Sequence, residues 1–145
     1  MDEYEQKRLQ ELKAMAPIKP RGIWERGTLS GHDVFFLCGT IGQEFDIWQR
    51  RVSLMSASDA YFSQKIGLDA VEAVMDEIES QIKDALLEGE RIRPRWSPGY
   101  GDHPLSLSIE ILNKLNASKR IGVSITETML LVPSKSVTAI CEIIK

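Results

Sequence analysis

The sequence predicts an α+β fold: a single domain with a long central helix, a short mixed or antiparallel sheet that ends in a C-terminal hairpin, and an N-terminal helix. Two patterns predict this class. Apolar residues recur at helical spacing for about 20 residues from Leu68, and β-rich runs lie on either side of that stretch. The chain has 145 residues, of which 43% are apolar. This length and composition suit one domain with its own core.

The N-terminal helix is predicted over residues 3–15, where leucines recur at helical spacing among charged residues. Pro17 and Pro20 end this helix. We assign residues 1–20 to the helix and its connector, and residues 21–145 to the domain proper. The sequence leaves two options open for the helix, which either packs on the domain or acts as a mobile arm.

The first strand is predicted between this helix and the central one. The connector continues to Arg26, and turn residues follow at 29–33. Residues 34–38 (VFFLC) form a continuous apolar run, which predicts a short strand buried on both faces. Residues 39–42 (GTIG) predict a tight turn into a helix; the alternative is a backbone surface that approaches a ligand closely.

Residues 43–88 are predicted to be mostly helical, and the part from Leu68 onward is the clearest. Glu79 and Lys83 form a favourably oriented i,i+4 pair outside the apolar stripe. We expect Gly89 to end the helix. The stripe that should face the core consists of Val71, Met75, Ile78, Ile82 and Leu86.

A long irregular loop over residues 90–104 is the best candidate for a site. It contains three prolines, two glycines and three arginines, and loops of this length are uncommon in compact domains unless they have a function. Arg91, Arg93 and Arg95 alternate, so an extended chain would point all three the same way. Arginine recognises carboxylates and phosphates. The loop therefore predicts a small ligand with a carboxylate and an aromatic or cationic centre; the alternative is a surface loop with solvated arginines.

The C-terminal third is predicted to contain one short helix and a hairpin. Ser106 is expected to cap the helix. Residues 126–132 and 136–144 are β-rich, and residues 133–135 would connect them as a hairpin. The apolar side of the short helix would consist of Leu105, Ile109, Leu112 and Leu115.

Composition excludes several classes of function. Acids outnumber bases by 21 to 18, so binding of nucleic acid by a basic chain is not expected. No long apolar run or secretory leader is visible, and we expect a cytoplasmic protein without a membrane segment. The sequence has no Walker loop, nucleophile elbow or zinc-protease motif. Cys38 and Cys141 lie in apolar runs and predict buried thiols, and no Cys/His cluster predicts a metal site.

Residues 95–104 (RWSPGYGDHP) resemble the R-x-x-P-G-Y-x-x-x-P motif of the reactivation domain of cobalamin-dependent methionine synthase. Three other stretches agree in order. Residues 121–129 resemble the G-x-x-L/I-T-E-S-x segment of this family, residues 133–139 its P-x-x-S-V-S motif, and residues 37–46 the T-L-G segment of its free-standing members. The match spans roughly residues 29–144, and several motifs together are more specific than any one of them.

The resemblance implies an accessory factor rather than a self-sufficient enzyme. Such a factor binds S-adenosylmethionine and supports the reductive remethylation, or reactivation, of cob(II)alamin on a methionine synthase that lacks its own activation domain. Cobalamin would enter only with the partner protein, and a flavodoxin-like donor would supply the electron. No catalytic residue is implied, because the chemistry belongs to the cofactor and the methyl donor. The residues implied to bind S-adenosylmethionine are Arg95, Ser97, Pro98, Gly99, Tyr100, Glu79 and Ser80.

The chain departs from the family pattern in its acidic residues. The family has a carboxylate on its long helix that faces the ligand, and an ungapped alignment on residues 71–73 places Ser80 there. Glu79 is one step away, which is about 100° around a helix. A family Asp near the N-terminal part of the domain has no match. These departures support an alternative function, a non-catalytic module that docks on a corrinoid protein without binding S-adenosylmethionine.

Overall fold

The protein is described by a computed structural model that covers residues 1–145 and contains five helices and six strands. None of the helices has the length and apolar character needed to cross a membrane. In chain order the elements are α1 (Glu3–Met15), β1 (Arg21–Leu29), β2 (His32–Thr40), α2 (Gln43–Ser53), α3 (Ala57–Asp84), β3 (Arg91–Ile92), α4 (Leu107–Leu115), α5 (Ala117–Ile121), β4 (Ser124–Ile125), β5 (Leu131–Val132) and β6 (Ser136–Ile144).

Four of the strands form an antiparallel sheet in the order β1-β2-β6-β3. A two-residue turn joins β1 to β2, and both of its residues, Ser30 and Gly31, have positive φ angles of 51° and 82°. Positive φ at both central residues is typical of the tight turns that match the twist of a hairpin. The α+β class with a long central helix, an antiparallel sheet and an N-terminal helix is therefore confirmed.

Helices cover both faces of this sheet. Phe35 and Leu37 of β2 belong to a buried cluster with α1, α2 and α3, whereas Val34, Phe36 and Cys38 belong to a second cluster with α4 and α5. The prediction that residues 34–38 form a strand buried on both faces is confirmed. Both thiols are buried and free, as predicted, and burial raises the pKa of each to about 12.

Residues 43–88, predicted to be mostly helical, form the two helices α2 and α3, and α3 ends before the predicted stop at Gly89. Ser56 accepts a hydrogen bond at 3.0 Å from the backbone N–H of Asp59 and caps the helix. The helix ends at Asp84, and Gly89 lies beyond it in a separate turn with a φ of 81°. The predicted core stripe is confirmed for Val71, Met75, Ile78 and Ile82, which are all buried, whereas Leu86 lies beyond the end of the helix and is partly buried.

Helix α1 packs on α3, which settles the question that the sequence left open. Leu9 and Leu12 are buried in the same cluster as the α3 stripe. The guanidinium of Arg8 donates two hydrogen bonds to the carboxylate of Asp59, at 3.0 Å and 2.8 Å. The connector is shorter than predicted because residues 21–26 belong to β1. Their pairing with β2 overrides a weak local β preference.

The predicted C-terminal hairpin is wrong in its pairing. β5 pairs with β4, and β6 pairs with β2 and β3. The reason is burial: β6 carries an apolar run that is buried on both faces through Thr138–Cys141, and such a strand belongs in the interior of a sheet. Residues 126–130 form a tight turn between β4 and β5, in which the N–H of Thr126 donates to the carbonyl of Leu130.

The side that helix α4 turns to the core agrees only in part with the predicted one. Ile111, Leu112 and Leu115 are buried, whereas Ile109 and Leu105 are exposed. A buried hydrogen bond of 2.9 Å between Ser108 and Thr138 of β6 fixes this orientation. Ser106 stands at the N-cap as predicted, but its side chain makes no capping hydrogen bond.

A buried ion pair fixes the start of the long loop. The carboxylate of Glu90, with a side chain only 2% exposed, accepts a two-fold hydrogen bond from the guanidinium of Arg26 on β1. It also accepts the backbone N–H of Leu87 at 2.9 Å. These hydrogen bonds hold the pKa of Glu90 at about 2, below its ordinary value of 4.5. The chain that enters β3 is thereby tied to the far edge of the sheet.

Truncation of the α3 stripe tests this core. Ile78→Ala should lower the free energy of unfolding by about 2–5 kcal/mol, because Ile78 is 2% exposed and its removal leaves a cavity. Leu68→Ala is the matched control, since Leu68 is 47% exposed, and its effect should stay within about 0.5 kcal/mol. Denaturant titration measures both. Equal effects of the two variants would contradict the helix orientation.

The Glu90 ion pair predicts a pH dependence of stability. A carboxyl group with a lowered pKa in the folded state stabilises the fold above pH 4.5, and this contribution disappears as the pH falls toward 2. Glu90→Gln should therefore lower the stability at pH 6 and reduce the loss of stability between pH 4.5 and pH 2. Thermal unfolding across that range measures the effect. A variant with the same pH profile as the wild type would argue against the pair.

Candidate functional site

The long loop begins as an edge strand that contains one extra residue. Ile92 lies opposite Ile143 of β6, and the N–H of Arg93 donates to the carbonyl of Glu142 at 2.9 Å. Trp96 and Ile140 then exchange two backbone hydrogen bonds, of 3.0 Å and 2.9 Å. An uninterrupted ladder would place residue 95 there. The segment between Arg93 and Trp96 is therefore a β-bulge.

The bulge separates the arginines that were predicted to point the same way. Arg93 lies near Glu142, with an N–O distance of 3.6 Å, and lines a cleft with Trp96 on the α4 side of the sheet. Arg95 turns to the opposite side and contacts α3. The prediction that all three arginines share one direction is wrong, because the extra residue reverses the alternation of side chains.

On α3, Arg95 meets three carboxylates, and we call these four residues the Arg95 cluster. Its Nη1 donates to Asp76 at 2.9 Å and to Glu79 at 2.8 Å, and its Nη2 donates to Glu72 at 2.5 Å. The three acids lie four and three residues apart, so they share one side of the helix. The side chains of Arg95 and Glu79 are 19% and 21% exposed, whereas those of Glu72 and Asp76 are 57% and 72% exposed.

The Arg95 cluster has more negative than positive charge. Partial burial disfavours the charged guanidinium, but the hydrogen bonds to the three carboxylates outweigh burial and raise the pKa of Arg95 above its ordinary value. One positive group against three negative groups leaves an excess of two negative charges. The net negative charge of the cluster therefore favours binding of a further cation.

Arg95 still has free hydrogen-bond donors. Its Nε and the second hydrogen of Nη2 have no protein acceptor. The Nε is not fully buried, because the only fully buried side-chain nitrogen or oxygen without a partner is Nε1 of Trp96. Arg8 uses the same Nε–Nη2 edge to hold the carboxylate of Asp59. Arg95 can thus donate a hydrogen bond from its Nε to one more carboxylate.

The chain then forms a tight turn beside the bulge. The N–H of Gly99 donates to the carbonyl of His103 at 2.9 Å, and the ring of His103 stacks on Trp96 with centroids 3.7 Å apart. Gly99 and Gly101 have φ angles of 96° and 59°, which favour glycine. Tyr100 lies at the tip of this turn with 73% of its surface exposed. Its ring is therefore available to a ligand or a partner.

The structure brings some of the predicted site residues together. Arg95 and Glu79 are in direct contact, so Glu79 rather than Ser80 is the helix residue at the predicted arginine. Ser80 is exposed and makes no side-chain hydrogen bond. The rest of the predicted set, Ser97, Pro98, Gly99 and Tyr100, forms the turn that follows Arg95, with Pro98 buried and Gly99 and Tyr100 exposed.

Sequence reasoning missed two members of the Arg95 cluster. Glu72 and Asp76 lie outside the apolar stripe of the helix and belong to no motif. Their spacing with Glu79 was the available signal, because three acids on one side of a helix repel one another unless a cation lies between them. The predicted pair between Glu79 and Lys83 is not formed, since Glu79 binds Arg95 and Lys83 has no ion pair.

Comparisons with known proteins find a match in structure but not in sequence. No protein-family model matches the chain, and no curated protein matches it. Among solved structures, the crystal structure of the MetH reactivation domain bound to AdoHcy matches 96% of this chain with a TM-score of 0.64 and 16% identity. The chain spans 63% of the length of that structure. It therefore has the fold of the MetH reactivation domain, as the motif resemblance predicted.

The glycines of the turn provide a test of its geometry. Gly99→Ala should destabilise the protein by about 1–3 kcal/mol, because alanine disfavours this φ and its Cβ would lie 3.1 Å from Leu105. Gly101→Ala is the control, since a Cβ there meets no atom within 4 Å, and its effect should be smaller. Denaturant unfolding compares the two. A larger effect at Gly101 would contradict the described turn.

Proposed function

We propose that the chain is an accessory factor that binds S-adenosylmethionine and supports the reductive remethylation of cob(II)alamin on a cobalamin-dependent methionine synthase without its own activation domain. The observation that carries this proposal is the match in fold to the MetH reactivation domain bound to AdoHcy. The ligand of that structure is the demethylated form of S-adenosylmethionine. The Arg95 cluster and the turn at residues 97–100 are the proposed ligand site.

The open edge of Arg95 supports recognition of the ligand carboxylate. S-adenosylmethionine carries an amino-acid end with a carboxylate and an ammonium group. The carboxylate would accept a hydrogen bond from the free Nε of Arg95, and this binding need not displace all three protein carboxylates. Glu79, which is 2.8 Å from the same guanidinium, would accept the ammonium. Charges of both signs at one place suit a zwitterionic end group.

The turn after Arg95 would bind the rest of the ligand. Pro98 is buried and stiffens the chain, and the exposed backbone at Gly99 allows close approach of a flat group. The exposed ring of Tyr100 would contact the sulfonium end, since aromatic faces attract cations. This role needs no general acid, base or nucleophile, because the chain binds and orients a methyl donor whose chemistry takes place at the partner's cofactor.

The cobalamin would be held by the partner, and a flavodoxin-like protein would be the electron donor. The chain itself would contribute the methyl donor in a fixed orientation. We further propose that residues 21–145 carry this function and that residues 1–20 support it by covering α3 through the contact of Arg8 with Asp59.

A second candidate is a module that docks on a corrinoid protein without binding S-adenosylmethionine. The observation in its favour is that Arg95 already has three carboxylate partners within the chain. In that case the only role of the Arg95 cluster is structural: its ion pairs hold the bulge against α3. The two candidates differ in whether the isolated chain, or the chain with its partner, binds S-adenosylmethionine.

Calorimetric titration with S-adenosylmethionine tests the first candidate. Arg95→Ala should weaken binding by about 2–5 kcal/mol, because it removes the cation that pairs with the ligand carboxylate. Arg93→Ala is the control: it also removes a guanidinium from the loop, but on the other side of the bulge, and affinity should be unchanged. Circular dichroism checks that both variants are folded.

The outcomes separate the candidates. Binding that depends on Arg95 but not on Arg93 supports the proposed site. If neither variant changes the affinity, the chain binds S-adenosylmethionine but at a different site. Absence of binding both to the isolated chain and in the presence of a cobalamin-dependent methionine synthase would overturn ligand binding and favour the docking module.

A further inference from the structure

We infer that Glu72 and Asp76 determine ligand specificity: they make the Arg95 cluster prefer a positively charged sulfonium ligand to its neutral thioether product. This inference rests on the proposed function, since it concerns the same site. It assigns a role to two residues that neither the motifs nor the family resemblance point to.

The first argument is charge balance within the cluster. Glu79 alone would neutralise Arg95, and it is the least exposed of the three acids. Glu72 and Asp76 add two further negative charges to a guanidinium that is already paired. Neither of them has a second cationic partner, because Arg95 forms the only ion pair of each. The cluster is therefore under-neutralised in the absence of a ligand.

The second argument is that the fold does not need these acids. Glu72 and Asp76 lie outside the buried stripe of α3, and their side chains are more than half exposed. Like charges four residues apart destabilise a helix by a small amount. In return each acid forms one ion pair with Arg95, whose charge Glu79 already balances. A cationic ligand near the two carboxylates would lower the remaining repulsion.

The ligand chemistry supplies the matching charge. S-adenosylmethionine carries a carboxylate, an ammonium and a sulfonium, so its net charge is +1. S-adenosylhomocysteine lacks the transferred methyl group, its sulfur is neutral, and its net charge is zero. Both ligands share the carboxylate and the ammonium, so both can bind Arg95 and Glu79. Only the sulfonium form gains from the two additional negative charges of Glu72 and Asp76.

The expected preference is modest and depends on salt. A positive charge that lies about 7 Å from each of two negative charges in water gains electrostatic interaction energy. This energy corresponds to roughly fivefold to tenfold tighter binding. Salt screens exposed charges over a Debye length of about 8 Å at physiological ionic strength. The preference should therefore shrink as the salt concentration rises. One consequence is that the demethylated product leaves the site more readily than the methyl donor.

The experiment compares three ligands on three forms of the full chain by calorimetry, at low and at high salt. The ligands are S-adenosylmethionine, S-adenosylhomocysteine and sinefungin, in which a protonated amine replaces the methylsulfonium. The forms are the wild type, the double variant Glu72→Gln/Asp76→Asn, and the control Glu3→Gln/Glu5→Gln. The control removes two negative charges from the first turn of α1, so it changes the net charge of the chain equally.

The wild type and the control should bind both cationic ligands about fivefold to tenfold more tightly than S-adenosylhomocysteine at low salt, and the double variant about equally. A similar preference in the wild type and the double variant would overturn the inference while leaving the proposed function intact. A preference for S-adenosylmethionine without one for sinefungin would also overturn it, because contact with the methyl group would then explain the selectivity. Failure of the wild type to bind any ligand would overturn both the inference and the proposed site.

Discussion

The structure depends on the pairing of β2 with β6. These two strands are buried on both faces over most of their length, so each must lie between two layers of helices. Their register places Phe36 opposite Ile140 and Phe35 opposite Cys141, which divides the core into its two clusters. Every other element either covers one face of this pair or extends it at an edge. The long loop lies where it does because β3 adds to the free edge of β6.

Local patterns predicted the elements whose burial is encoded in their own sequence. The apolar run of residues 34–38 and the stripe of α3 are visible without a partner, because their periodicity shows which side is buried. The extent of β1 was not predictable in this way. It contains two glycines and few buried residues, and only its pairing with β2 makes it a strand. The prediction of a C-terminal hairpin was wrong for a related reason. Neighbouring β-rich runs favour local pairing, but β6 is buried on both faces and therefore pairs with β2.

The site was partly predictable because one motif marks it. Residues 95–100 carry a recognisable motif, and the structure places Arg95 against the long helix, where it contacts Glu79. The choice between Glu79 and Ser80 could not be made from sequence, since an offset of one residue on a helix depends on where the loop crosses it. Glu72 and Asp76 were not identified because acids on the solvent side of a helix are ordinary. Only the structure shows that both acids contact the guanidinium of Arg95.

The bulge between Arg93 and Trp96 decides which side chain faces which layer of helices. If the loop strand paired with β6 without a bulge, Arg95 would lie opposite Ile140, and the next two side chains would exchange sides. The indole would then meet the acids of α3, and the guanidinium would enter the apolar layer beneath α4. Loss of Pro94 would have no such effect, because a regular ladder would then place Trp96 opposite Ile140 as before. Related chains can therefore lack the extra residue and still keep the arginine on the side of α3, provided that the tryptophan keeps its pairing with β6.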